Sequence, residues 1–457
     1  MSRGDSPLND ARFSADALAD NTMTRILAPW EGRTLSDAIA VANREMARWE
    51  QNGQLAGWKA SADVPPHIAA ALEEYVELAA HLPAWADAAK IERAENLFID
   101  ASMLSCTLLF CASLPECYVI PDLAAVLQAA GQLENNTEYR IRSTAAMIFP
   151  VLMRGGMTTP GGGGVAQAIK VRLMHATIRH LVLRGSPADA LRAGAPHEIP
   201  ALPATPSPAL HEALWTHGWN VARAGLPCNQ QELAYTLLTF HYVFLRSLRK
   251  LGVGAGQENE EAYLHVWNVL GHVLGIERRM MVDTMEQAKS LFESMQARGR
   301  LERCEPDPRP DLGWALMHAM QVYIPLRVLK PFPVLLTRYL CGNPCQDDLA
   351  LTGRVSLLSR AIFVLVMGLV RAIDRLGRLF VPGFSLSRMF TRVVGYQLTV
   401  KLLLNQTRPL KLPHALLNDV NTVTQAWHDD PAAPAWVNAL ERYLTGRKQS
   451  HQRKAAS

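Results

Sequence analysis

A chain of 457 residues that is 49% apolar and 19% charged holds far too much core-forming material for a disordered protein, and its length alone would allow two or three ordinary domains. Its net charge of +4 comes from Lys and Arg residues spread along the chain, so no basic patch marks a nucleic-acid surface. The one basic group, Arg447, Lys448, Arg453 and Lys454, lies in a polar tail of the kind that frays.

Residues 1–15 read as a disordered tail, with no basic stretch followed by an apolar run of the secretory type. Helical periodicity then takes over. Ser36 to Gly53 reads as a capped helix, with serine at the start, apolar positions at Ile39, Val41, Ala42, Met46 and Trp49, and glycine as the stop. Further helices are predicted near 67–82, 87–112, 121–132, 137–154, 164–184, 208–224, 229–251, 258–275 and 282–299, with more between 311 and 445. The run Gly155-Gly156 and Pro160 to Gly164 frames a loop that either lets backbone approach a ligand or gives slack between helices, and slack is the commoner use. A second loop, Gly194 to Pro208, carries five prolines and reads as a surface crossing.

The seven cysteines are an odd number, which with the missing leader predicts reduced thiols and a cytoplasmic location. Cys341-Gly-Asn-Pro-Cys345 has the look of a metal or redox pair, but no second pair or nearby histidine joins it, so a structural role is expected. Ala361 to Val370, closed by Arg360 and Arg371, is about half of a bilayer span; it predicts a buried core helix, with shallow membrane contact as the alternative. No alternating run bounded by hairpin turns occurs. The expected fold is all-α: one large helical domain, with a core over 16–300, helices of 301–445 packed on it, and a polar tail over 446–457.

The helix near 164–184 holds two histidines on different faces. His175 shares a stripe with Val171, Ile178 and Val182, while His180 sits about 140° round, near Leu173, Ala176 and Leu183. Lys170, Arg172 and Arg179 are expected to reach water. Two histidines five apart do not converge on one metal from a regular helix, whereas haem iron needs one imidazole in an apolar pocket. On composition alone, a histidine on an apolar face is more often a satisfied core residue than a ligand.

The string Val171-Arg-Leu-Met-His175-Ala-Thr-Ile-Arg-His180 resembles the haem-ligand helix of the rubber oxygenase (latex-clearing protein) and MpaB-type oxygenase family. Ala17-Leu-Ala-Asp20 resembles the family's N-terminal motif, and Ser113-Leu-Pro-Glu-Cys-Tyr118 its Leu-Pro…Tyr turn. Asn229 to Phe240 and Val266 to Gly275 follow in the family's order, so the resemblance covers roughly 15–300. It implies globin-like helical packing around a haem-b pocket and oxygenase chemistry on dioxygen and a small apolar or lipid-like substrate. By position, His175 matches the proximal iron ligand, His180 a histidine supporting the pocket, and Arg140 and Thr144 a distal pair on one helical face. A cationic donor there would stabilise negative charge developing on oxygen.

Two departures bear on this. The distal lysine of the rubber-cleaving relatives falls on Ser143, and their candidate basic glutamate has no counterpart, which argues against polyisoprene as substrate. A non-catalytic haem-binding or sensing protein, and a cofactor-free helical scaffold, are the alternative readings. Among other residues, Arg140 has an alternative as a surface ion pair with Glu134 or Glu138. Asn229 and Glu232 have capping-box spacing. Trp267, Gly271 and Gly275 share a stripe that predicts close packing on a helix or a flat cofactor. His265 and His272 beside it are ordinary, and His211 and His217 are candidate pocket residues.

Overall fold

The computed structural model describes residues 5–28, 32–131, 144–203, 210–252, 254–302, 304–322, 324, 326–365, 367–368, 435–436 and 438–439, and structural statements below concern those residues. Caps set many of the helix starts. Asp16 opens α2 (Ala17–Leu27), and Asp87 opens α5 (Ala88–Asp100) by accepting from the N–H groups of Ala89 and Lys90. Thr284 and Gln287 close a reciprocal capping box at the start of α16 (Met285–Gly299).

The N-terminal residues 5–12, expected in a disordered tail, form α1 (Asp5–Arg12). Leu8 and Ala11 are buried, and Arg12 reaches Glu302 (2.9 Å) and Asp122 (3.5 Å), which together hold it down. α3 (Gly32–Ala47) starts and stops upstream of the expected Ser36 and Gly53, and Gly53 instead sits in a short 3₁₀ turn, Asn52–Gln54. α4 is Pro66–Ala79. The expected helix at 87–112 is α5, α6 (Ser102–Leu108), a π-helical turn at Leu109–Ser113, and α7 (Leu114–Cys117). Pro115 explains the π turn: it has no N–H for the carbonyl of Cys111, four residues back, so regular α-helix cannot run through it.

α8 (Pro121–Gly131) follows, then α9 (144–152) and α10 (Gly164–Leu183). After α11 (Pro187–Ala190), the helix expected over 208–224 is instead α12 (Leu210–Trp215) and α13 (Val221–Ala224). Gly218, at φ +62°, breaks it, and Trp219–Asn220 pairs antiparallel with Glu198–Ile199 in a two-residue ladder. α14 (Gln230–Lys250), α15 (Gln257–Val273), α17 (Arg309–Gln321), α18 (Phe332–Cys341) and α19 (Asn343–Asp348) complete the labelled elements. The fold is all-α, as the periodicity predicts.

One hydrophobic cluster runs from Leu8 to Leu351. α15 lies along α5, α2 is held between α4 and α10, and α14 and α18 both pack on the π turn. The apolar stretch from Ala361 behaves differently from the expected core helix. Phe363 is buried edge-on against Phe332, whereas Val364 and Leu365 are exposed, because only one side of residues 357–365 meets α18. Among the described residues no single helix is long and apolar enough to cross a membrane.

Candidate functional site: the His175 helix

α10 carries the site, and its start is fixed from outside. Its N-cap, Gly163, has no side chain, so Asn52 Oδ1 accepts from the N–H groups of Val165 (3.0 Å) and Ala166 (3.2 Å) instead. Asn52 Nδ2 donates to Gly156 O (2.9 Å) and Thr159 O (3.0 Å), and its backbone N–H to Gly162 O (2.7 Å). The glycine run is therefore closely packed backbone rather than slack. A Cβ at Gly156 would collide with the carbonyl of Pro150.

Two faces of α10 meet different surroundings. Leu173, Ala176, His180 and Leu183 are buried and packed, as the spacing predicts. Val171, Met174, His175 and Ile178, spaced by three and four, form the other stripe, whereas Val182, expected on it, is buried. Met174 is 48% exposed and the other three are half-buried, although α10 is in contact with α2, α12 and α15. The His175 imidazole lies deep beneath the protein surface and yet keeps accessible area. Val171 and Ile178 pack against the core cluster yet keep accessible area, so this stripe lies at the edge of the core.

The ring of His175 has a fully enclosed Nδ1 with no hydrogen-bond partner. Burial, and next the positive Arg179 one turn away, push its pKa down to about 4, against a smaller opposing pull from Asp16. The ring is neutral at pH 7, the form in which imidazole binds a metal. His180 differs. Its Nδ1 lies 2.8 Å from the carbonyl of Ala176, which can only accept, so Nδ1 carries the proton; Nε2 then accepts from the hydroxyl of Thr24 at 2.9 Å. Burial lowers its pKa to about 4 as well. With both nitrogens engaged, His180 ties α10 to α2.

Of the cations on α10, Arg179 does not reach water, contrary to expectation, while Lys170 and Arg172 keep only part of their surface accessible. Arg179 is fully buried and donates to Asp20 Oδ1 (2.9 Å) and Oδ2 (3.2 Å) and to the carbonyls of Pro227 and Cys228. Arg172 makes a two-pronged pair with Asp16 at 2.5 and 2.7 Å. Lys170 is deeply set, and burial lowers its pKa to about 8. Burial raises Asp20 to about 6 in spite of Arg179. The Ala17–Asp20 motif is thus where α2 supplies counter-charge to the histidine helix. Asp20 stands in the motif singled out from the sequence, without its role as counter-charge, whereas Asp16 and Asn52 escaped sequence reasoning; Asp16 carries an N-cap signal, and nothing local marks Asn52.

Thr144 stands half-buried at the start of α9, while Arg140 and Ser143 lie outside the described residues. Trp267 stacks on Phe240 (5.6 Å), and a Cβ on Gly271 would touch Leu237 and Met281, so that stripe packs against α14 and the chain beyond α15. Gly275 is not on the helix. It stops α15 at φ +83°, with Ile276 N–H donating to Gly271 O, and lies against the Asp16–Arg172 pair. Asn229 caps α14 through Glu232 N–H (2.9 Å). Burial and nearby Asp122 raise the Glu232 carboxyl to about 8. His265 accepts from the N–H of Asp87, and both His265 and His272 lie edge-on to Trp85. His211 is buried against Trp215, and His217 lines a cavity of about 350 Å³ together with Val126, Val182, Leu214, Trp219 and Arg223.

The structure titled latex clearing protein LCP in the closed state superposes over 91% of this chain and 90% of its own, with a TM-score of 0.58 and 18% identity. The fold is an all-helical domain of that type. The family described as ER-bound oxygenase mpaB/B'/rubber oxygenase, catalytic domain, matches residues 103–372, and the chain belongs to it. A rubber oxygenase from a Streptomyces species is 23% identical over 291 residues; the match takes in 62% of this chain and 58% of that relative, somewhat over half its length.

Proposed function

We propose that this chain is a haem-b-dependent oxygenase that uses dioxygen on a small apolar or lipid-like substrate, with His175 as the iron ligand. The observation that carries the reading is the imidazole of His175. It is neutral, its Nδ1 is enclosed without a partner, and it stands among Val171, Met174 and Ile178 on a partly accessible stripe at the edge of the core. His180 has both nitrogens engaged; His241 shares the unpartnered Nδ1 but is fully buried, so it is the accessible surface left on His175 that sets it apart. These residues fit haem, which requires one neutral imidazole and apolar walls.

Haem, when bound, supplies redox-active iron for dioxygen activation. The protein's part is then positional. His175 holds the iron. His180, through Thr24 and Ala176, fixes the rotation of α10, and Asp16 and Asp20 keep its cations neutralised in place. By resemblance, Arg140 and Thr144 line the distal side. Oxygenases are what the family description and the Streptomyces relative's name speak of. A cytoplasmic location belongs to the same reading, supported by seven free thiols.

The experiment is expression with haem supplied, followed by the Soret and pyridine–haemochrome spectra of wild type and His175→Ala. We expect stoichiometric haem b in the wild type and loss or a shifted spectrum in the variant. A haem-free wild type refutes the proposal, and an unchanged His175→Ala spectrum refutes the ligand. Haem without dioxygen uptake under any reductant and apolar substrate would make the protein a haem binder or sensor, the reading that Ser143 in place of the relatives' distal lysine favours.

A further inference from the structure

We propose that Cys341, Cys345 and Glu116 form a binding site for a thiophilic divalent cation, zinc by preference, that clips the α18–α19 corner to the core. The sequence offers only a cysteine pair with no third ligand beside it. Folding brings one to it. A sulfur from each cysteine and a carboxylate oxygen of Glu116 all lie within 4.8 Å of one another. Gly342, at φ +88°, turns the chain between the end of α18 and the start of α19, and so returns Cys345 to the side of Cys341. Glu116 comes from α7, which the π turn presents to α18.

The carboxylate is already oriented. Glu116 Oε1 accepts from Arg246 at 2.6 Å and Oε2 from Gln296 at 2.6 Å, which leaves each oxygen a further lone pair. Outer hydrogen bonds of this kind fix a metal ligand's direction. Charge selects the ion. Two thiolates and one carboxylate exceed a dication by one negative charge, and the Arg246 guanidinium offsets that excess. Thiolate donors favour zinc over magnesium or calcium.

Cys345 and Glu116 are buried, whereas Cys341 is only half-buried, so a fourth position on its side can take water. The Cys341 sulfur is held only by weak thiol contacts, one of them with Cys345 itself. Its S–H donates weakly, at 3.7 Å, to the carbonyls of Cys111 and Ala112; Cys111 O is the acceptor that Pro115 leaves without an α-helical donor. Binding expels the two thiol protons to solvent, with no change of oxidation state.

The test uses the full chain, expressed with zinc supplied and purified under reducing conditions, with zinc counted by elemental analysis. We expect about one equivalent per chain. Titrating zinc-stripped wild type with cobalt should give thiolate-to-cobalt charge-transfer absorption with tetrahedral d–d bands. Cys341→Ser, at the more accessible position, should lose the equivalent, and Glu116→Gln should bind at least tenfold more weakly. A zinc-free wild type that gives no charge-transfer band overturns the proposal, and that arm needs no variant to fold. So does a Cys341–Cys345 disulfide in the reduced preparation, or full zinc in a folded Cys341→Ser protein. Zinc and haem iron are counted separately, so neither outcome decides the other proposal.

Discussion

Asn52 is the most consequential residue outside α10, and replacing it with alanine tests how the histidine helix is held. The change removes four hydrogen bonds at once, two to the free N–H groups at the start of α10 and two to carbonyls of the glycine loop. Losing a cap costs about 0.5–2 kcal/mol. The Gly156 carbonyl keeps a second donor in Gly164 N–H, and that of Thr159 is open to water, so those two bonds together add about 1 kcal/mol. The expected loss is about 1.5–3 kcal/mol. Asn52→Asp keeps the acceptor and places a negative charge at the helix N-terminus, while losing both donors, so it should fall about midway. Amide exchange is the sharper assay, because a chain of this size need not unfold in one step. If the loss stays local to the cap, protection at Val165 and Ala166 should drop about 30-fold in Asn52→Ala for each 2 kcal/mol lost. Protection unchanged at those two amides, with urea stability within about 0.5 kcal/mol of wild type, would mean that the cap is not what fixes α10.

Glu232→Gln should be more stable than wild type at pH 8, with the difference vanishing toward pH 4.5. The folded carboxyl is raised to about 8, so its favourable contribution is complete below the unfolded value and is lost as pH rises through the folded one; urea titrations at both pH values check this. Gly275→Ala places a Cβ at φ +83° against Asp16 and beside Arg172, and should cost more than the 1–2 kcal/mol of the left-handed backbone alone, seen as a lower melting temperature.

Periodicity was enough for the long helices. α10, α14, α15 and α16 fall where three-to-four spacing puts them, because each buries a continuous stripe. It failed at 208–224, where Gly218 turns the chain, and at 87–112, where the helix breaks at Ala101 between α5 and α6 and a π turn follows from Leu109. The stripe of His175 was legible, but its meaning was not. Spacing places Val171, Ile178 and His175 together equally well for a packed core and for a cavity wall, and only the surface left accessible on them separates the two. The reach of Arg172 and Arg179 was misjudged for a related reason. A helix wheel puts cations on the wet side, whereas Arg179 is drawn fully inward by Asp20 and Arg172 is mostly covered in its pair with Asp16. Asn52 and Glu116 act across long sequence separations, through contacts that no local spacing encodes.

The counter-charges on α2 explain how two histidines so close in sequence come to differ. Asp16 meets Arg172 and Asp20 meets Arg179, in the same order on both helices, so α2 and α10 run in the same direction along this contact. Seven residues on α10 rise about 10 Å while four on α2 rise about 6 Å, and the long arginine side chains take up the difference. This pairing leaves Arg179 charged beside His175, and that charge works with burial to keep the imidazole unprotonated. Asp20 also lies 3.7 Å from Nδ1 of His180, whose two nitrogens are already committed. His180 is thus held by Ala176 and Thr24, while burial, helped by the Arg179 charge, keeps His175 neutral. Substituting Asp20 would strand a fully buried guanidinium, a loss of about 3–5 kcal/mol that would fall on the helix itself before any ligand is bound. The neutral imidazole of His175 is accordingly a property of the folded protein, present before any metal arrives.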